Sequence, residues 1–245
     1  TRSAEVLEEA IQKYRPDVVL DVGQAGGRSC MTVEKVAINL KEARIPDNDG
    51  EQPFDEPIRE DGETAYFSTL PVKAMVENMR AHGIPAHISY TAGTYVCNCI
   101  MYNALYLAAK KYLGVRAGFI HVPFENGQVV DKANGTPFMS LEMIAKGLEY
   151  GIEAAVTTTD DVQKQWERPI NVLRIKGLFQ CIGTRPKNKK NLEHIVDKFR
   201  RCRQICIHKI QIDCQDHTIE DGCPSRKPNV FILFHVLDKS DKGLH

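Results

Sequence analysis

The sequence predicts an α/β fold with a mainly parallel sheet covered by helices on both faces. Apolar, strand-like runs alternate with amphipathic helical segments over residues 1–156, and that rhythm is the signature of such sheets. The runs end in glycine-rich or small-residue turns. Gln24 follows one strand, Cys97 follows another and His121 ends a third. All three can therefore face one crevice, because ligands bind at the carboxyl ends of the strands in these sheets.

The elements follow in order. Val6, Leu7, Ala10, Ile11 and Tyr14 recur at helical spacing and predict an opening amphipathic helix over residues 4–14. Asp17-Val18-Val19-Leu20-Asp21-Val22-Gly23 reads as a buried strand, closed by the turn Gln24-Ala25-Gly26-Gly27-Arg28. A second strand is expected over Lys35-Val36-Ala37-Ile38-Asn39-Leu40, directly after Glu34. Residues 44–63 are rich in Pro, Asp, Asn and Gly and form a long excursion, and ordered loops of that length tend to be functional. A helix is expected over residues 71–82, ended by Gly83 and Pro85, then a strand ending at Tyr90 and an apolar helix beginning near Cys97. Gly114 stops that helix. Residues 116–123 form the next strand, and an amphipathic helix capped by Ser140 runs from there to Val156.

Residues 157–245 differ. They hold short strand-like pieces at 171–175, a basic run at 185–190, a helical stretch at 191–203 and the apolar run Val230-Phe231-Ile232-Leu233-Phe234. They show no repeat and no βα rhythm, and they read as a C-terminal extension of unassigned fold.

Composition excludes several function classes. The chain has 32 basic and 32 acidic side chains, so no net field draws it to nucleic acid or to a membrane surface. No run approaches the ~18 apolar residues that a membrane span needs. The start, Thr1-Arg2-Ser3-Ala4-Glu5, carries charges where a signal peptide needs an apolar core. Eight cysteines over 245 residues are not a disulfide framework and point to a reducing, cytoplasmic setting. An α/β chain that opens on a helix, without an initiator methionine, is expected to lack sequence at its front.

The chemistry centres on Cys97. A thiol where a turn becomes a helix feels unpaired backbone N–H groups and the positive end of the helix dipole, which favour the thiolate. A cysteine hydrolase also needs an imidazole and a group that sets its tautomer. His121 supplies the first and Glu34 is the best-positioned acid for the second. Backbone N–H groups of residues 95–98 are placed to receive an oxyanion. Each feature has a structural alternative: a buried small cysteine, a satisfied histidine, a solvated glutamate. A competing constellation lies in Cys202, Cys206, His208, Cys214, His217 and Cys223, enough ligands for zinc but without paired knuckles at the usual spacing. The sequence-based expectation is that no metal is bound.

Five motifs, in order, resemble the pyroglutamyl-peptidase I (pyrrolidone-carboxylate peptidase) family. They are Gly23-Gln24-Ala25-Gly26-Gly27-Arg28, Glu34-Lys35-Val36-Ala37-Ile38-Asn39, Ala43-Arg44-Ile45-Pro46-Asp47-Asn48, Ala92-Gly93-Thr94-Tyr95-Val96-Cys97-Asn98 and Gly118-Phe119-Ile120-His121-Val122-Pro123. The resemblance covers residues 1–156. It implies an α/β/α sandwich and a cytosolic cysteine exopeptidase that removes amino-terminal pyroglutamate from peptides, without a cofactor or metal. It implies a triad of Glu34, Cys97 and His121, a role for Arg44 near the site, and frequent assembly as a tetramer. A pyroglutamyl group is a small neutral lactam, so its pocket should be apolar with a few amide-reading hydrogen bonds. Ile45, Tyr95 and Val96 are the expected lining and Gln24 the expected amide reader. The family begins with a strand of the central sheet and an aromatic loop with no counterpart here, so the sheet is expected to lack its first strand. A catalytically silent or truncated relative, acting, if at all, as a binding protein, is the alternative function.

Overall fold

The computed structural model describes residues 3–47, 50–162, 208–212 and 229–235. The opening helix, α1, spans Ser3–Tyr14 and buries Leu7, Ala10 and Ile11, the stripe expected from the sequence. Strand β1, Val18–Gln24, follows. The predicted second strand divides differently. Met31–Glu34 forms β2 in the central sheet, and Val36–Ile38 forms β3, which pairs antiparallel with β4, Ala65–Phe67, in a separate ribbon. Glu34 therefore ends a central strand instead of preceding one. Helix α2 is Val72–Ala81, β5 is Ala86–Ser89, α3 is Val96–Lys110 and β6 is Arg116–Val122. Short strands β7 (Phe124–Glu125) and β8 (Phe138–Met139) pair beyond it. Helix α4, Leu141–Thr157, is capped by Ser140, whose hydroxyl accepts from the Met143 amide at 3.3 Å.

Two further strands come from the segment to which the sequence assigned no fold: β9, His208–Ile212, and β10, Val230–His235. The central sheet has the order β5-β2-β6-β1-β10-β9. The pairs β1–β6, β1–β10 and β2–β5 are parallel, while β2–β6 and β10–β9 are antiparallel. The expected strand at 171–175, basic run and helix at 191–203 lie outside the described residues.

The sheet separates two cores. On one face Leu20, Val22, Val33 and Ile120 pack against Met75 and Met79 of α2 and Ile144 and Leu148 of α4. On the other, Val19, Ala117 and Phe119 meet Leu7 and Ile11 of α1 and Ile100, Met101 and Leu105 of α3. This is the expected three-layer arrangement. Most of α3 is buried around its full circumference, as a helix does when it has a sheet on one side and a cover on the other. The cover is the long excursion before β4. Tyr102 donates to the Glu63 carbonyl at 2.5 Å, Arg59 Nε donates to Asn103 Oδ1 at 2.8 Å, and Tyr106 donates to Asp61 Oδ2 at 2.6 Å. The excursion thus clamps the helix that carries Cys97. Among the described residues no helix is long and apolar enough to cross a membrane.

Candidate active site

Side chains alternate along a strand, so Asp21 and Gly23 of β1, Thr32 and Glu34 of β2, and Phe119 and His121 of β6 share the sheet face under α3. Cys97 is the second residue of that helix. The turn before it includes Gly93 at φ 81°, a left-handed conformation that a residue without Cβ adopts freely. Tyr95 then caps α3 in an extended conformation with no side-chain capping hydrogen bond. The amides of the first turn therefore lack both intrahelical partners and a capping side chain, as an oxyanion-binding turn requires.

The thiol reaches down onto β1. A methyl group at Gly23 would lie 3.1 Å from Cys97 Sγ and 2.7 Å from Phe119 Cζ, so the approach depends on glycine there. Gly23 is in register with His121 on the neighbouring strand. The thiol thus lies over the strand next to the one that carries His121. The His121 ring is buried and tilted against Phe119, with centroids 4.6 Å apart.

Glu34 reaches His121 because Thr32, two residues earlier on β2, is directly opposite it in the antiparallel ladder. His121 Nδ1 is 2.7 Å from Glu34 Oε1. A carboxylate only accepts, so this contact places a proton on Nδ1, and in the neutral ring Nε2 is then the acceptor. Burial pushes the Glu34 carboxyl up, but hydrogen bonds led by His121 and including Arg28 outweigh it, and the group is held below its ordinary value. The Cys97 thiol goes the other way. The helix end favours the thiolate, yet burial, and next the Glu34 carboxylate, push it up to about 12 against the opposing pull of Arg28. This environment favours the neutral thiol.

The family model described as pyroglutamyl peptidase matches residues 1–158. The chain belongs to the pyroglutamyl peptidase family. It is 60% identical over 163 residues to a pyrrolidone-carboxylate peptidase of Enterococcus faecalis, covering 66% of this chain and 76% of that protein. A pyrrolidone-carboxylate peptidase of Clostridium perfringens is 57% identical over 162 residues, with the same coverage of each chain. Among solved structures, pyroglutamyl peptidase I from Bacillus amyloliquefaciens superposes with a TM-score of 0.64 at 45% identity, over 66% of this chain and 76% of that one. The pyrrolidone carboxyl peptidase of Thermococcus litoralis gives 0.64 at 41% identity, over 67% and 78%.

The other expected site residues of this pyroglutamyl peptidase family member are placed unequally. Val96 is buried beside Cys97. Tyr95 donates its hydroxyl to the Pro46 carbonyl at 3.0 Å, which ties the turn before α3 to the loop carrying Arg44 and Ile45. Ile45 is half-buried, whereas Arg44 is exposed. Gln24 is engaged elsewhere: its side-chain amide donates to Gln128 Oε1 at 2.5 Å, so that pair must open if Gln24 is to read a substrate amide. Cys99 is buried. Of the tail's candidate zinc ligands only His208 falls among the described residues, as the first residue of β9, and among those residues no cluster fit to hold a metal occurs.

Three residues near the site were not singled out from the sequence. Arg28 Nη1 donates to Glu34 Oε1 at 2.7 Å and also contacts Thr32 Oγ1. Asn98, after Cys97, accepts from the Ile38 amide at 3.0 Å and donates to the carbonyls of Ile38 at 2.8 Å and Leu40 at 3.1 Å. It stitches the start of α3 to β3. A buried asparagine beside a candidate nucleophile was the available signal.

The third is Asp21, fully buried between the register partners Phe119 and Leu233, with no hydrogen-bond partner for either carboxylate oxygen among the described residues. Burial pushes its carboxyl well above the ordinary value. Because the folded value is raised, the protonated form is tolerated at low pH, and stability falls as pH rises through the folded value. Asp21→Val, similar in size and suited to a strand, is therefore expected to stabilise the protein by about 1–3 kcal/mol. The gain in urea unfolding should be larger at pH 9 than at pH 5. A destabilised variant, or a gain independent of pH, would contradict a buried unpartnered carboxyl.

Proposed function

We propose that the chain hydrolyses the bond between an amino-terminal pyroglutamyl residue and the rest of a peptide, with Cys97 as nucleophile, His121 as general base and acid, and Glu34 orienting the imidazole. The observation that carries this reading is the buried Glu34–His121 contact of 2.7 Å on the sheet row above which the Cys97 thiol rests. Membership of the family and the peptidase activity for which its relatives are named support the same reaction.

The proposed reaction has two stages, acylation and hydrolysis of the thioester. His121 Nε2 takes the Sγ proton, and the sulfur attacks the pyroglutamyl carbonyl carbon. Amides of the first turn of α3 hold the oxygen that becomes negative, a contribution typically worth about 10²–10³ in rate per donor. The imidazolium gives its proton to the departing amine as the carbon–nitrogen bond breaks, leaving a thioester. Water, deprotonated by the same imidazole, then displaces the sulfur and releases pyroglutamate. A neutral resting thiol makes the base indispensable.

Ile45, Tyr95 and Val96 are proposed to line the lactam pocket, with Arg44 at its rim and Gln24 released from Gln128 to read the amide. The setting proposed is cytoplasmic, without a cofactor or metal, and assembly into homo-oligomers is proposed with it. The test is release of a fluorogenic amine from its pyroglutamyl amide. Turnover that survives a chelator and disappears with iodoacetamide is expected. Inhibition by a chelator alone would overturn the thiol mechanism, and absence of turnover in well-folded protein would leave a silent, binding relative.

Arg28 acts in this scheme as a positioning residue. A hydrogen bond to a charged group contributes about 1.5–3 kcal/mol. Arg28→Met should therefore lower kcat about 10- to 100-fold with little change in KM, and Arg28→Lys should recover part of the loss. A change confined to KM would place Arg28 on the substrate instead.

A further inference from the structure

β1 has a hydrogen-bonded strand on each side. One is β6, inside the family-matched residues 1–158; the other is β10, outside them. The junction with β10 is closely specified. The Asn229 carbonyl accepts from the amides of Asp17 at 2.8 Å and Val18 at 3.1 Å. Its own amide donates to Asp17 Oδ2 at 2.6 Å, and its side-chain amide donates to the Tyr14 carbonyl at 2.9 Å. These four bonds set the first rung, and the ladder continues from Val18↔Val230 to Gly23↔His235.

The side chains interlock with equal specificity. Val230 and Ile232 enter the core under α2 and α4, while Phe231 and Leu233 enter the core under α1 and α3. All four are at most 3% exposed. Phe231 stacks on Tyr14 at 5.6 Å between centroids. A one-residue slip would exchange the two faces and break the Asn229 contacts.

We propose that residues 229–235 are a complementing strand on which the family-matched unit depends. The β1 edge is then a docking groove for a parallel strand of alternating apolar residues preceded by an asparagine, and its occupant is this chain's own C-terminal segment. Without it, the outward N–H and C=O groups of β1 lose their partners, and both cores lose buried side chains at once. The dependence extends to the candidate site, because Gly23, which lies beneath the Cys97 thiol, is held between His121 on one side and His235 on the other.

The test is hydrogen exchange on the full chain, followed peptide by peptide, and it needs no enzymatic activity. Amides of Val230–His235 should exchange within about tenfold of those of Val18–Gln24, as members of one cooperative unit do. Their protection should be unchanged on tenfold dilution. Asn229→Ala should raise exchange in both segments together, and Ile232→Asp should do so more strongly. If β10 amides exchange at the rate of an unstructured peptide while β1 stays protected, the proposal is overturned. Protection that falls with dilution would also overturn it, by assigning the strand to a second copy.

Discussion

Cys97→Ala is expected to remove turnover of a pyroglutamyl amide, lowering kcat by about 10⁴-fold or more. Loss of a nucleophile that acts as one unit with its base removes nearly all that the unit contributes. The variant should fold normally, since a small residue replaces a small one in an apolar setting and the unfolding midpoint has little to lose. The same thiol makes a second, chemical measurement possible. Its resting proton is held up to about 12 by burial first and the Glu34 carboxylate next. Alkylation by iodoacetamide should therefore climb about tenfold per pH unit above neutrality without levelling near the ~8.5 of a free cysteine. Hydrolysis retained by the alanine variant would remove Cys97 from the mechanism.

Glu34→Gln is expected to cost about 10³–10⁴ in kcat. The amide keeps the size of the side chain but offers an N–H to Nδ1 as readily as a carbonyl, and the imidazole can then hold its proton on Nε2, the wrong tautomer for accepting one from sulfur. A readout beyond activity separates this from simple damage. Glu34 is held below its ordinary value in the folded protein. Its contribution to stability is therefore present above the unfolded value of about 4.3 and is lost as pH falls through the folded value. The glutamine variant should show a flatter acid limb of stability than the parent. A variant with near-normal kcat would show that Glu34 does not orient His121.

Local pattern carried much of the fold. Leu7, Ala10 and Ile11 repeat at helical spacing, and the same residues face the core. Ser140 was legible as a cap because capping is a contact over three residues. Glu34 stands out in the sequence as the best-positioned acid, but β2, the strand it ends, does not. Lys35–Leu40 looks as strand-like as Met31–Glu34, and only pairing with β5 and β6 selects the earlier residues for the central sheet. Arg28 was not legible as a second partner of Glu34, since the ion pair joins a turn to a strand end and leaves no periodic trace.

By itself the sequence determined the βα alternation, the family, and the types of residue that stand at the carboxyl ends of the strands. The alternation depends on neighbours within a few turns of helix or along one strand, and the family on five short motifs in order. The tertiary structure alone decided the burial of the ionisable groups at the site and the strand order of the sheet. Cys97 reads as an activated thiol in isolation, and Asp21 as an ordinary polar residue in a strand. Burial reverses the first and strands the second, because removing water penalises charge by amounts no local pattern records. Val230–Phe234 was legible only as an apolar run. Its place beside β1 is set by the Asn229 clamp and by two cores that exist only once the chain has folded.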